Sequence, residues 1–252
     1  VFTDLEADQF YTIYEPVGQP APEIEPAVLA LYEKSSHLAS AVHEEAPFDD
    51  FARQPLLPYK LSQLGPGTAW GDLDGDGDDD FFLGGARGHP GQIFLNTGGG
   101  KFAPFEANAL AAHADSEDAG ALFFDADADG DLDVFIGGRA VTGHYPQASV
   151  SVLFRNTTRS LDPAGGTLSQ ALGLVNGAVF SDLDGDGFPE LILATEWGPV
   201  RIYRNTSRGL EEKTSGSGLD AYTGWWTCVT AGDVDGDGDT DLLAGNFGLN
   251  TK

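Results

Sequence analysis

The chain has a single cysteine, Cys228, and no methionine in 252 residues. One thiol excludes an intrachain disulfide, so covalent stapling contributes nothing to the fold. The missing methionine marks the sequence as a processed product or an excerpt. Basic side chains are scarce, 13 against 40 acidic, for a formal charge of −27. That excludes a generic nucleic-acid binder, because little here can neutralise a phosphate backbone. No apolar run reaches the roughly 18 residues that a transmembrane segment needs. The opening VFTDLEADQF has neither the basic nor the apolar region of a signal peptide. Enough apolar material remains for a core, since hydrophobic residues make up 41% and aromatics 11%. Glycine, at 34 of 252 residues, has about twice its usual share of about 7%.

Much of that glycine and aspartate sits in an internal repeat. Four nine-residue stretches align: Asp72–Asp80 (DLDGDGDDD), Asp125–Asp133 (DADADGDLD), Asp182–Glu190 (DLDGDGFPE) and Asp233–Asp241 (DVDGDGDTD). Their starts are 53, 57 and 51 residues apart, close to the length of one propeller blade. Each stretch follows a short apolar segment (GTAWG, GALFF, GAVFS, CVTAG) and precedes another (FFLGG, VFIGG, LILAT, LLAGN). A third segment follows in three copies, as IFLNT, VLFRN and IYRNT. Short apolar runs bounded by Gly and Asn read as buried strands between turns. A fourth strand falls near Lys101–Phe105 in the first copy. The expected fold is all-β, a partial β-propeller ring of about 3.5 to 4 blades with four antiparallel strands each. Residues 61–252 form the repeats, and further blades or domains of the same parent chain are expected beyond them.

Residues 1–60 differ. Pro16, Pro20, Pro22 and Pro26 crowd one stretch that reads as an extended linker. Ala27–His43 reads as either helix or extended chain. The segment is either the end of a preceding domain or a ring-closing strand.

The loops between first and second strands carry the chemistry, in the pattern D-x-D-x-D-G-x-x-[DE]. Calcium is a hard cation that takes six to eight oxygens. Carboxylates at positions 1, 3 and 5 of a tight loop point at one centre. Those residues are Asp72, Asp74 and Asp76; Asp125, Asp127 and Asp129; Asp182, Asp184 and Asp186; and Asp233, Asp235 and Asp237. Position 7, occupied by Asp78, Asp131, Phe188 and Asp239, suits a backbone carbonyl, which explains the tolerated Phe. Position 9 adds Asp80, Asp133, Glu190 and Asp241, each expected to bind through both oxygens. Position 6 is always Gly while position 4 accepts Ala128, which places a left-handed turn at position 6. The alternative is a solvated Asp/Gly turn without metal, but close carboxylates repel by about 1 kcal/mol or more per pair. Four repetitions of such a cluster call for about four Ca²⁺ ions. An EF-hand is disfavoured, because its twelfth position should be Glu and these loops have Leu83, Ile136, Leu193 and Ala244 there. Magnesium prefers fewer protein ligands.

With these residues in view, the chain resembles the FG-GAP/VCBS repeat family of integrin-α-like propellers over about residues 64–252. The stretches Phe51–Gly67 and Gly224–Thr251 resemble, more narrowly, bacterial secreted proteins of the ASPIC/UnbV type, related to cartilage acidic protein. The resemblance implies a calcium-stabilised propeller in an exported or surface protein, engaged in binding or adhesion rather than catalysis.

The remaining candidates are weaker. The five histidines show no metal-ligand spacing. His43-Glu44-Glu45 could form an acid/base pair but reads as a solvated turn, and His89 and His144 read as turn residues. Trp225 and Trp226 fall on one strand, so one can face the core and the other solvent, where it could stack on a sugar ring, the alternative being a core role only. Trp70, Trp197 and Cys228 read as packing residues. Asn156 and Asn205 fit the glycosylation sequon, but Asn96 occupies the same place without completing it, which argues for a turn role. No GxSxG, Walker or Rossmann pattern occurs. The expectation is an extracellular, secreted or cell-surface module (outer membrane or periplasm in a bacterium) that binds protein or glycan and is not an enzyme. The alternatives are the propeller portion of a polysaccharide-processing enzyme, or a structural spacer.

Overall fold

A computed structural model describes residues 35–248, apart from 107, 115, 158–159, 165–168 and 207–208. The chain divides into two compact units, Val1–Ser35 and Ser36–Lys252. The proline-rich linker and the first part of Ala27–His43 lie outside the described residues; residues 37–40 form a turn.

Every repeat begins with an antiparallel hairpin closed by its acidic loop. In the first, β1 (Thr68–Gly71) pairs with β2 (Asp80–Leu83), and Gly71 faces Asp80 across the loop. β3 (Gln92–Asn96) and β4 (Phe102–Phe105) complete a sheet in the order β1-β2-β3-β4. The second comprises β5 (Asp118–Phe124), β6 (Asp133–Gly138), β7 (Ser151–Asn156) and β8 (Leu161–Pro163), with β9 (Ser169–Gln170) also on β7. The third comprises β10 (Leu174–Ser181), β11 (Glu190–Gly198), β12 (Arg201–Thr206) and β13 (Gly209–Glu212). A fourth hairpin, β14 (Gly224–Gly232) with β15 (Asp241–Asn246), joins the third sheet through the start of β14 and the end of β11. Three blades and the first two strands of a fourth make a partial β-propeller.

Residue parity on the second strands explains their unbroken apolar runs. Val134 and Ile136 pack with Phe82 and Ile93 of the first blade. Phe135, between them, packs with Leu191, Leu193 and Tyr203 of the third. A strand buried on both faces has no polar side to alternate with. Phe81 and Leu83 point the other way from Phe82 and are covered with Phe94 by Leu38 and Ala41.

The second strands of the first two blades run into Gly pairs, Gly84-Gly85 and Gly137-Gly138, for a steric reason. A Cβ on Gly84 would lie 2.8 Å from the Asp118 carbonyl oxygen, and one on Gly137 would lie 2.6 Å from Val175 Cγ1. Neighbouring blades approach too closely there for a side chain.

Residues 36–67 form a strap across the first two blades. Asp50, buried in α1 (Asp50–Arg53), accepts the Leu61 and Ser62 amides at 3.1 Å each and the Ser62 hydroxyl. The strap reaches the second blade through Gln54, which donates to the Tyr145 carbonyl at 2.6 Å and accepts the Tyr145 amide at 3.0 Å. His43 is not a solvated turn residue: its Nδ1 lies 3.0 Å from the Gly84 carbonyl oxygen, and its Nε2 lies 2.9 Å from Glu45.

The second and third blades are joined by a buried ion pair. Arg139, just past β6, reaches Glu196 of β11 through Nε at 2.7 Å and Nη2 at 2.5 Å. It also donates to Asn176 of β10 and to the Leu61 carbonyl of the strap. Losing one partner of such a pair strands a charge, which costs about 3–5 kcal/mol. Arg139→Met should lower unfolding stability by about that amount in urea titration, and Arg139→Met/Glu196→Met by clearly less.

Candidate metal centre and binding face

The acidic loops are built from their own carboxylates, the first three in the same way; in the fourth, Asp233 takes the Gly236 and Gly238 amides while the Asp237 amide turns to Asp235. Position 1 accepts the amides of positions 5 and 6: Asp72 takes Asp76 at 3.0 Å and Gly77 at 2.9 Å, and Asp125 takes Asp129 and Gly130. Position 5 accepts the amide of position 7, as Asp76 does from Asp78 and Asp186 from Phe188. Position 6 lies at φ between 87° and 97° in all four copies. Position 4 is left-handed too, which sequence reasoning missed: Gly75 lies at φ 76° and Ala128 at φ 62°. The difference in tolerance is one of degree, because 62° is near the left-handed minimum that an L-residue can occupy and 95° is not.

The position-9 carboxylate fastens the loop to the blade. One oxygen of Asp80 accepts the Leu73 amide at 2.8 Å, and the other accepts the Asn96 amide at 2.7 Å. Asp133 repeats this with Ala126 and Asn156. Both oxygens are thus engaged by backbone N–H groups, where the sequence suggested that both face the metal. The recurring Asn is explained as well: it ends the third strand against this carboxylate, and Asn156 Nδ2 donates to the Leu73 carbonyl of the first loop at 2.7 Å.

The loops bring together the carboxylates of positions 1, 3 and 9. Asp72, Asp74 and Asp80; Asp125, Asp127 and Asp133; Asp182, Asp184 and Glu190; and Asp233, Asp235 and Asp241 each offer oxygens within 4.8 Å of one another. The carboxylates of positions 5 and 7 are not in these groups. Burial, reinforced by the neighbouring aspartates, pushes Asp133 up to about 6 and raises Asp80 and Glu190. Asp127 Oδ1 and Glu190 Oε1 are buried without a hydrogen-bond partner. Hard oxygen donors, crowded charge and orphaned carboxylate oxygens suit a divalent cation of the calcium type.

Two arginines distinguish the copies. Arg155 lies 3.1 Å from Asp127, and Arg204 lies 3.1 Å from Asp184 and 2.8 Å from Asp186. Leu95 occupies the equivalent place in the first copy.

The opposite ends of the strands carry an aromatic group. Trp225 lies at the start of β14, with ring centroids 5.3 Å from Trp197, 5.1 Å from Phe247 and 6.0 Å from Tyr59. Trp225 and Trp226 are both half-buried rather than one in and one out. Trp197 is 60% exposed, not a packing residue. Its backbone is left-handed, at φ 58°, uncommon for a bulky residue. The indole is nevertheless fixed: Nε1 donates to the Tyr145 hydroxyl at 2.6 Å, which donates to Glu196 at 2.8 Å. Burial and the Glu196 carboxylate hold the Tyr145 phenol well above its ordinary value.

Trp70 and Cys228 are exposed as well. The outward face of β14–β15 and the end of the first blade are not covered by another sheet among the described residues, so apolar residues there do not become core. Arg139 and Glu196 were missed in the sequence. A signal existed, because both stand six residues after position 9 of their repeats, where the other copies have Ala86 and Phe247.

The third loop combines Glu at position 9, an orphaned oxygen and an arginine at its mouth. Calcium titration should therefore resolve it from the other three. Arg204→Ala should tighten it several-fold by removing a competing cation, and four indistinguishable sites would contradict this.

Among solved structures, a lectin of Agrocybe aegerita, described by its specific recognition of non-reducing terminal N-acetylglucosamine, aligns with a TM-score of 0.46 at 16% identity. The alignment covers 74% of this chain and 47% of that one, so the chain spans about half its length. Comparison with curated proteins gave no match. The family model for the FG-GAP-like repeat matches residues 72–136 and 182–244, two spans that each run from one acidic loop through the next and into the strand after it. Matched over half its length through the loops that organise its blades, the chain belongs to the FG-GAP-like repeat family.

Proposed function

We propose that this chain is a calcium-stabilised, extracellular binding module for protein or glycan ligands. The observation that carries the reading is Trp197, an exposed indole in a strained backbone conformation, held in place through Tyr145 and Glu196. Strain retained at an exposed aromatic is characteristic of a ligand-facing position. A fixed aromatic face loses little entropy when a ligand stacks on it. With Trp225 beside it, and Trp226 on the neighbouring surface, the module can offer stacking area for a sugar ring or an apolar side chain. The −27 charge favours neutral or basic ligands.

Calcium fits the lower ends of the same blades. Asp72, Asp74 and Asp80 and their equivalents would hold it, neutralising carboxylates that otherwise repel. Four ions would bring the formal charge from −27 to about −19 and stabilise by about 2.7 kcal/mol each at a hundredfold excess over the dissociation constant. The millimolar calcium outside cells would meet that condition, which supports an extracellular location. No described helix is long and apolar enough to cross a membrane.

A thermal melt in millimolar calcium should show a transition that falls sharply on chelation and is not rescued by magnesium. Trp197→Ala should abolish binding on a glycan and peptide array without moving that melt. The enzymatic reading draws on Glu117 and Asp118, two carboxylates outside the loops, with His113 3.6 Å from Asp118. Turnover of a polysaccharide by the full chain would replace the binding reading with it.

A further inference from the structure

The strap, the β2–β3 connection and the residues before β5 enclose a cavity of about 190 Å³. It shares no residue with the aromatic group around Trp197. That volume is below the roughly 300–1,000 Å³ of a site for a drug-sized ligand, so it fits a terminal group rather than a whole molecule. Pro47 and Phe48 of the strap form an apolar wall, and Gln63, Arg87, Glu117 and Thr142 supply the polar groups.

Arg87 is the unusual member. Arg53, Arg139, Arg155, Arg201 and Arg204 each reach an acceptor. The exposed Arg87 guanidinium has none among the described residues. In a chain with 40 acidic side chains against 13 basic ones, a guanidinium with no acceptor among the described residues stands out. Beside it lies Glu117, only 8% exposed. Thr142 Oγ1 is 3.5 Å from its Oε1, and the Arg87 backbone N–H also bonds its carboxylate.

We propose that this cavity, with Arg87 at its mouth and Glu117 in its wall, binds a carboxylate-bearing terminal group, from either the uronic acid end of a glycan or the C-terminus of a peptide. A guanidinium matches a planar carboxylate with two parallel hydrogen bonds. A neutral Glu117 adds an O–H donor to the same anion. Phe48 and Pro47 accept the carbon skeleton that carries the carboxylate. A phosphate dianion suits the cavity less well, because its second charge would meet Glu45 and Glu117 with one arginine to offset it.

The binding is pH-dependent. Burial, reinforced by Glu45, pushes Glu117 up to about 7. The groups around it are His43 and Glu45 on the strap, paired at 2.9 Å, and Arg87 on the β2–β3 connection. His89 on that connection pairs with Glu44 of the strap at 3.2 Å. Asp118 follows Glu117 and is pushed up to about 7 by its own burial, with His113 3.6 Å away. Below about 7 Glu117 is neutral and donates; above it the ionised group repels an anion. Affinity therefore falls as pH rises from 6 to 8.

The test is calorimetric titration of the full chain, in calcium, with glucuronate, N-acetylglycine, methyl glucoside and inorganic phosphate at pH 6 and pH 8. At least one carboxylate should bind at pH 6, with methyl glucoside silent, and which one binds identifies the source. Arg87→Gln should weaken that binding by about tenfold or more, and Arg87→Lys by less. Glu117→Gln should keep the pH 6 affinity and flatten the decline toward pH 8. Melting curves establish that each variant is folded. The proposal is overturned if neither carboxylate binds at pH 6, if phosphate binds more tightly than both, or if Arg87→Gln leaves the affinity unchanged.

Discussion

The blades depend on one carboxylate per repeat, at the first residue of the second strand. Asp80 and Asp133 take a loop amide on one oxygen and a third-strand amide on the other. Each therefore joins a loop, the strand it starts and the strand that follows. The same residue also belongs to a crowded carboxylate group. Hydrogen bonds favour its ionised form while burial and neighbouring aspartates oppose it. The loop is thus well formed but crowded with like charge, a cost that a divalent cation at the group would offset. Fold and candidate ion site are consequences of the same residue.

The blades divide their work between their ends. Acidic turns occupy one end, where first strands run into second strands. The other end carries the Gly pairs, the Arg139–Glu196 pair, the strap contacts and the exposed Trp197. Blades meet most closely there, so buried polar links and fixed side chains accumulate there. Glu196 serves both roles, since it pairs with Arg139 inside the junction and anchors Tyr145, which holds Trp197.

Loops and strands were legible in the sequence because their rules are local. Alternating aspartates, a Gly at position 6 and short apolar runs report backbone geometry a few residues at a time, and the Phe102–Phe105 strand fell within the stretch expected for it. Exposure was less legible. Trp197 and Cys228 sit in apolar runs that resemble core, but their burial depends on what lies across the sheet, which no local pattern encodes. The strap was illegible for a related reason: residues 41–49 and 54–67 have no regular secondary structure and are held by side-chain hydrogen bonds to residues distant in sequence. Arg139 and Glu196 lay between these cases, visible only when repeats are aligned and opposite charges sought at equivalent positions.

The strap also has a consequence in time. Gln54 bonds to Tyr145 across 91 residues, and Ser62 bonds to Gly143 across 81. The partners of the strap exist only once the first two blades have formed, whereas each β1–β2-type hairpin closes within a few residues. Local hairpins form early and contacts across long stretches of chain form late. The strap is therefore a final latch: its docking reports that two separately formed blades have found their correct mutual register.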